Sequence, residues 1–311
     1  MDVLSDAVTA MRTGQPHSGR VHRPTPFGTR HPSVAAAGFH IILQGSCWLF
    51  PPAGAPVALG VGDVAFLPRG AAHGLADSLS TPLVDAPTSL ADIPPGEDDS
   101  QNDDGSAAAT VMLCGAYLLD PSRAHPLLED LPELIHLPAR VGHHQGLRAA
   151  IDLLGGELEH PRPGGDAMLS ALLDVLLLHI LRAWFDEQSA HGVATGWAAA
   201  LHDPAVAAGL RAIHGAPSRP WTVAELASQA GLSRAAFARR FAALVGQPPQ
   251  TYLTWWRMTL AARMLRDSDA PLATVARKVG YTSEFAFAHA FKREYGSAPG
   301  GFRRSTPGER I

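Results

Sequence analysis

The chain has 311 residues, 46% of them hydrophobic and 17% charged, which excludes wholesale disorder and leads us to expect two packed domains. The N-terminus, Met1-Asp2-Val3-Leu4-Ser5-Asp6, lacks the basic stretch and apolar run of a secretory signal, and two cysteines, Cys47 and Cys114, are too few for a disulfide framework; both features point to a cytoplasmic setting. Net charge is −4 but unevenly split, with 10 Lys+Arg against 22 Asp+Glu in residues 1–200 and 15 against 7, net +8, in residues 201–311, so the C-terminal part is suited to a polyanion.

From about residue 18 to 76 the sequence predicts short strands between Gly and Pro turns, as in Gly38–Phe50, Pro56–Gly60 and Asp63–Pro68, and their close spacing argues for a β-barrel or sandwich. Residues 77–109 carry the polar run Pro-Pro-Gly-Glu-Asp-Asp-Ser-Gln-Asn-Asp-Asp-Gly and read as a mobile acidic loop, after which Thr110–Leu119 regains strand character. Over 140–187 apolar residues recur three and four apart, at Leu147, Ile151, Leu154 and Leu158 and then from Leu169 to Trp184, predicting two helices, the second capped by Asp166. The apolar run Met168–Leu181 is broken by Asp174 and His179 and falls short of the roughly 20 residues of a membrane span, so no membrane partner is expected. Its stripe is wide enough to cover a core and still offer a homodimer seam. Residues 191–203, rich in Gly, Ala and His, read as a linker.

An internal repeat follows at an interval of 49–50 residues. Gly231-Leu-Ser-Arg-Ala-Ala-Phe237-Ala-Arg-Arg-Phe241 is echoed by Gly280-Tyr-Thr-Ser-Glu-Phe-Ala-Phe287-Ala-His-Ala-Phe291, and Gly246 and Pro249 by Gly296 and Pro299. Each copy reads as a short helix, a Gly turn and a second helix opened by a hydroxyl cap, Ser233 in the first and Thr282 or Ser283 in the second. Small Ala227 and Ala276 permit a close helix crossing. This is helix-turn-helix geometry, and two copies in tandem within the basic part are a strong signal for DNA. Between them Pro249–Arg266 predicts one amphipathic helix, about 26 Å long, able to hold two recognition helices about one DNA turn apart.

With Gly280-Tyr281, Phe287, Phe291-Lys292 and Gly296-Ser-Ala-Pro299-Gly-Gly-Phe302-Arg303, residues 204–304 resemble the DNA-binding domain of the AraC/XylS family of transcriptional regulators. The resemblance implies that Arg234, Ala235, Ala238 and Arg239 of the first unit, and Glu284, Phe285, Ala288 and His289 of the second, enter successive major grooves of promoter DNA. Arg239 has the chemistry to read guanine; His289 stands where relatives often carry a basic residue. Arg240, Lys292, Arg293, Arg303 and Arg304 are assigned to phosphates or a solvated rim. RNA polymerase is a further partner if the protein is an activator.

Residues 36–76, with Phe39-His40-Ile-Ile-Leu-Gln-Gly45, Gly62-Asp63-Val-Ala-Phe-Leu-Pro68 and His73, are similar to the cupin barrel fused to such regulators, which makes residues 1–190 a sensor and dimerisation domain and the whole chain α+β. The pair Cys114-Gly115 is similar to a subgroup of which some members respond to reactive chlorine or other electrophiles. His40, His73 and Cys114 lie on three strand segments that can line one interior, where His/His/Cys is a set that a Zn or Cu ion accepts. A metal or redox effector, a small organic ligand and a purely structural barrel all stay open. A thiol beside histidines is expected to have a lowered pKa, and Cys47, seven residues after His40, to face away from Cys114. The alternative, a metal-dependent cupin enzyme with a helical appendage, is disfavoured because Gln44 stands near where an acidic ligand is needed.

Overall fold

The computed structural model describes residues 2–11, 16–86, 110–118, 125–190 and 195–305. The chain runs α1 (Val3–Met11), β1 (His17–Arg23), β2 (Gly28–His31), β3 (Ala36–Gln44), β4 (Cys47–Phe50), β5 (Val57–Leu59), β6 (Val64–Leu67), β7 (His73–Ala76), β8 (Val84–Asp85) and β9 (Thr110–Leu118). It continues through α2 (Pro126–Asp130), β10 (Ile135–Leu137), α3 (Gln145–Glu159), α4 (Gly165–Ala190), α5 (Gly196–His202), α6 (Pro204–Gly215), α7 (Val223–Gln229), α8 (Arg234–Val245), α9 (Pro249–Asp267), α10 (Leu272–Lys278), α11 (Glu284–Tyr295) and α12 (Pro299–Ser305). Two compact units result, one of Arg12–Pro121 with Leu131–Glu187, the other of Met1–Met11, Ser122–Asp130 and Gln188–Ile311.

The first unit holds two five-stranded sheets, ordered β1-β9-β3-β6-β10 and β5-β4-β7-β2-β8. Side chains from both fill one core, with Ile42, Ala65 and Met112 from one sheet and Cys47, Leu49, Leu59 and Leu75 from the other. Cys47 thus points into the same cluster that Cys114 packs against, against the expectation from strand alternation. The physical reason is the turn at Gly45, with φ of +75°, which ends β3 before Cys47 and resets the count of faces.

Helix α4 is 26 residues long and starts at Gly165, so Asp166 sits in its first turn instead of at the cap. It is longer than its apolar run and meets the length and composition of a membrane span, which the run alone does not. Its face of Leu172, Leu173, Leu176, Leu177, Ile180 and Leu181 is buried within this unit, and the Tyr117 hydroxyl donates to the Leu173 carbonyl at 2.7 Å. A core helix of a soluble fold explains such a pattern without a membrane.

In the second unit the repeat folds as two helix-turn-helix pairs, α7–α8 and α10–α11, joined by α9. Thr222 and Glu225 form a capping box at the start of α7, Ser233 caps α8, and Ser283, not Thr282, caps α11. Gly231 and Gly280 take the turn positions at φ of +67° and +83°. A Cβ at Gly280 would also lie 2.6 Å from the Ser218 carbonyl oxygen, so this turn admits no side chain. Pro249 opens α9, whose 19 residues span about 28 Å.

This unit contains more than the repeat. Helix α1 lies against α6 and α9, and α2 against α5, so two segments that precede and follow strands of the first unit complete the core of the second. His125, fully buried, accepts a hydrogen bond from the Leu127 amide and packs its ring 4.9 Å from Trp197 and 4.8 Å from Trp255. His214 bonds the Tyr252 hydroxyl at 2.8 Å and lies 3.4 Å from Asp6, and burial lowers its pKa to about 3. The segment read as a linker, 191–203, instead carries α5 with buried Trp197, because the Asp130 carboxylate accepts from the Trp197 amide and caps the helix. Residues 191–194, and 87–109 of the expected acidic loop, lie outside the described residues.

Candidate functional site

On the helical unit the two second helices present the residues that the sequence singles out. Arg234, Ala235 and Arg239 are exposed on α8 with Ala238 half-buried between them, while Phe237 and Phe241 fill the core beneath. On α11 the equivalent face carries exposed Glu284, Phe285 and His289 and half-buried Ala288, above buried Phe287 and Phe291. Gly209 of α6 lets Phe237 approach so closely that a Cβ there would sit 2.6 Å from the ring.

Two arginines depart from the phosphate assignment. The Arg240 guanidinium pairs with Asp203, its Nε donating to Oδ2 at 2.6 Å, and Asp203 also caps α6 through the Ala205 and Val206 amides. Arg303 donates from Nη2 to the Ala270 carbonyl at 2.6 Å, which ties α12 to the loop before α10. Both are held by the fold, and a phosphate would have to compete with those partners. Lys292, Arg293 and Arg304 are exposed on the same unit, Arg293 within 3.5 Å of its neighbour Glu294.

In the β-rich unit, pairing of β3 with β9 sets His40 opposite Cys114 and Phe39 opposite Gly115. A Cβ at Gly115 would lie 2.5 Å from the Phe39 ring, so the Cys-Gly pair has a steric cause: the thiol faces the histidine and the glycine makes room for the phenylalanine. His40 Nδ1 lies 3.1 Å from Cys114 Sγ, His40 Nε2 lies 2.8 Å from His73 Nε2, and His73 Nδ1 lies 2.8 Å from the Ala71 carbonyl. The carbonyl only accepts, so His73 Nδ1 carries hydrogen. With both rings neutral, His40 Nε2 then donates to His73 Nε2, and the Cys114 thiol donates to His40 Nδ1. Every group in this chain from thiol to carbonyl is satisfied.

Burial keeps the rings neutral: it lowers the pKa of His40 well below the usual value and that of His73 below it, in each case more than any neighbouring charge does. Burial also pushes the Cys114 thiol up to about 12, which overturns the expected lowering, since the neighbouring imidazoles carry no charge to offset desolvation. His31 of β2, which the sequence reading missed, stands in register with His73 and stacks on it at 4.9 Å; burial lowers its pKa to about 4. Nothing in the local sequence marks His31, because its role arises from the pairing of β2 with β7.

The metal expectation meets a geometric difficulty. Cys114 and His73 engage opposite nitrogens of the His40 ring, so an ion between the two Nε2 atoms would have the thiol on the far side of an imidazole. Among the described residues no group of three His, Cys, Asp or Glu is placed to hold a metal ion. As placed, the Cys114 thiol and the two Nε2 atoms do not converge on one point.

The cupin family matches residues 2–186 and a helix-turn-helix domain family matches residues 226–305. An AraC-like transcription regulator of Streptomyces lividans is 37% identical over 98% of both chains. AlkR of Acinetobacter baylyi, an HTH-type transcriptional regulator, is 31% identical over 86% of this chain and 87% of its own. RclR of Escherichia coli, named an RCS-specific HTH-type transcriptional activator, is 32% identical over 89% and 87%. The DNA-binding domain of AdpA in complex with a target DNA is 33% identical over 33% of this chain and 91% of its own, with a TM-score of 0.31. The chain therefore belongs to the AraC-like transcription regulators, with an N-terminal cupin sensor domain and a C-terminal DNA-binding domain of two helix-turn-helix units.

Proposed function

We infer that the protein is an effector-controlled reader of promoter DNA, in which Cys114, through His40 and His73, receives an oxidising or electrophilic effector. The observation that carries this reading is the chain from Cys114 Sγ to His40 at 3.1 Å and on to His73 at 2.8 Å. A thiol held protonated by burial is a poor nucleophile toward weak electrophiles, but His40 Nδ1 stands ready to take its proton as the sulfur reacts. With hypochlorous acid, attack of sulfur on chlorine forms a sulfenyl chloride and water, and hydrolysis gives a sulfenic acid, a proton and chloride. Sulfur loses two electrons and chlorine gains them. The added oxygen would enter the packed cluster around Ile42, Leu49 and Met112, where extra volume forces side chains and backbone to shift. The printed name of the Escherichia coli relative supports an effector of this class.

On the DNA side, Arg234, Ala235, Ala238 and Arg239 of α8 and Glu284, Phe285, Ala288 and His289 of α11 face base edges, and Lys292, Arg293 and Arg304 face phosphates. The protein acts as a homodimer in the cytoplasm, where the chromosome is, and meets RNA polymerase if it activates. The test is to titrate wild type, Cys114→Ser and Cys47→Ser with hypochlorite and measure affinity for a promoter duplex. Wild type and Cys47→Ser should change affinity by about 5–150-fold, the range of allosteric couplings, while Cys114→Ser stays constant. Identical responses in all three would leave Cys114 as ordinary core.

A further inference from the structure

The two second helices of the repeat occupy equivalent positions but present different chemistry. Fifty residues apart, Arg234 is replaced by Glu284, Ala235 by Phe285 and Arg239 by His289. At these positions α11 thus lacks the guanidinium groups of Arg234 and Arg239 and gains an aromatic ring. That ring is 82% exposed, and Phe285 is the one aromatic side chain among the large exposed hydrophobics of the described residues. It sits at the second position of α11, after the Ser283 cap, and makes no ring contact among the described residues. Beneath it the core is already filled by Phe287 and Phe291, so packing of this domain gives no reason for a first-turn phenylalanine to stand in water.

The first turn of a recognition helix is where side chains meet base edges in the major groove. Among the four bases only thymine offers an apolar group there, its C5-methyl, while guanine offers the paired acceptors that arginine reads. Half-buried Ala288, one turn along the same face, continues the apolar surface from Phe285 and adds no donor. Glu284 is exposed beside it and repels phosphate, which keeps this end of the helix directed at bases.

We propose that Phe285 reads thymine methyl groups in the groove entered by α11, so that the second half-site is specified by thymine where the first is specified by guanine. This rests on the reading that α11 enters a major groove. The experiment uses the full-length protein and a duplex selected from random sequence. Each thymine of the second half-site is replaced in turn by deoxyuridine, which removes the methyl and keeps the pairing. Wild type should lose about fourfold per contacted thymine, the worth of one methyl-sized group returned to water. Phe285→Ala should bind the thymine duplex as weakly as wild type binds the uracil duplex, and should be indifferent to the replacement. Uracil in the first half-site should affect both proteins alike.

Equal binding of both duplexes by wild type, or the same sensitivity in Phe285→Ala, overturns the proposal while the DNA-reading function stands. Unchanged affinity of Phe285→Ala with loss of transcription in a purified system overturns it in favour of a protein surface. A protein that selects no sequence at all overturns both.

Discussion

Arg239 and Arg304 are both exposed cations, yet they are assigned to different parts of a DNA duplex. Arg239 lies on the face of α8 with Ala235 and Ala238, where a guanidinium can donate a bidentate pair to guanine, so Arg239→Ala should cost about 1–3 kcal/mol on the specific site and little on scrambled DNA. Arg304→Ala should weaken both alike. Titrations against selected and scrambled duplexes separate the two, and equal losses for Arg239→Ala would make it a positioning residue. The turn glycines and the cap of α8 were legible because Gly231, Gly280 and Ser233 act within three or four residues of chain, whereas the cap of α11 stayed open between Thr282 and Ser283. The partner of Arg240 was not, since Asp203 stands 37 residues away and meets it only through the packing of α6 and α8. The same limit hid His31, whose neighbour His73 is brought by strand register, and it reversed the expected pKa shift of Cys114, which depends on how completely the strands bury the thiol.

At the level of elements, α4 has two apolar faces. One, with Leu173, Leu176 and Ile180, is buried in the β-rich unit; the other leaves Met168 51% and Val175 42% exposed, with Ala171 between them. Periodicity revealed the stripe but not where its buried arc ends, because residues three and four apart extend it on both sides. A two-fold interface would bring Val175 near its own symmetry mate, so Val175→Glu should place like charges against each other and shift the protein from dimer to monomer. Sedimentation at micromolar concentration checks this, and a wild type already monomeric there would remove the seam.

For the whole molecule, the boundary expected near residue 190 lies close to Gln188, where the helical unit resumes, but misses how the chain is shared. Segments Met1–Met11 and Ser122–Asp130 belong to the helical unit although strands of the other unit lie between them. In chain order β1 follows the first of those segments and β9 precedes the second, and the two strands pair along Ser18↔Gly115 and Gly19↔Cys114. Short helices such as α2, five residues long, carry too little periodicity to announce a packing partner. The account depends most on the tandem units acting together along one duplex, held by the roughly 28 Å of α9. A hydroxyl-radical footprint of the full-length protein on a selected site tests this directly. The account predicts two protected half-sites per protomer whose centres lie about 10–10.5 base pairs apart; a single protected groove per protomer would contradict it.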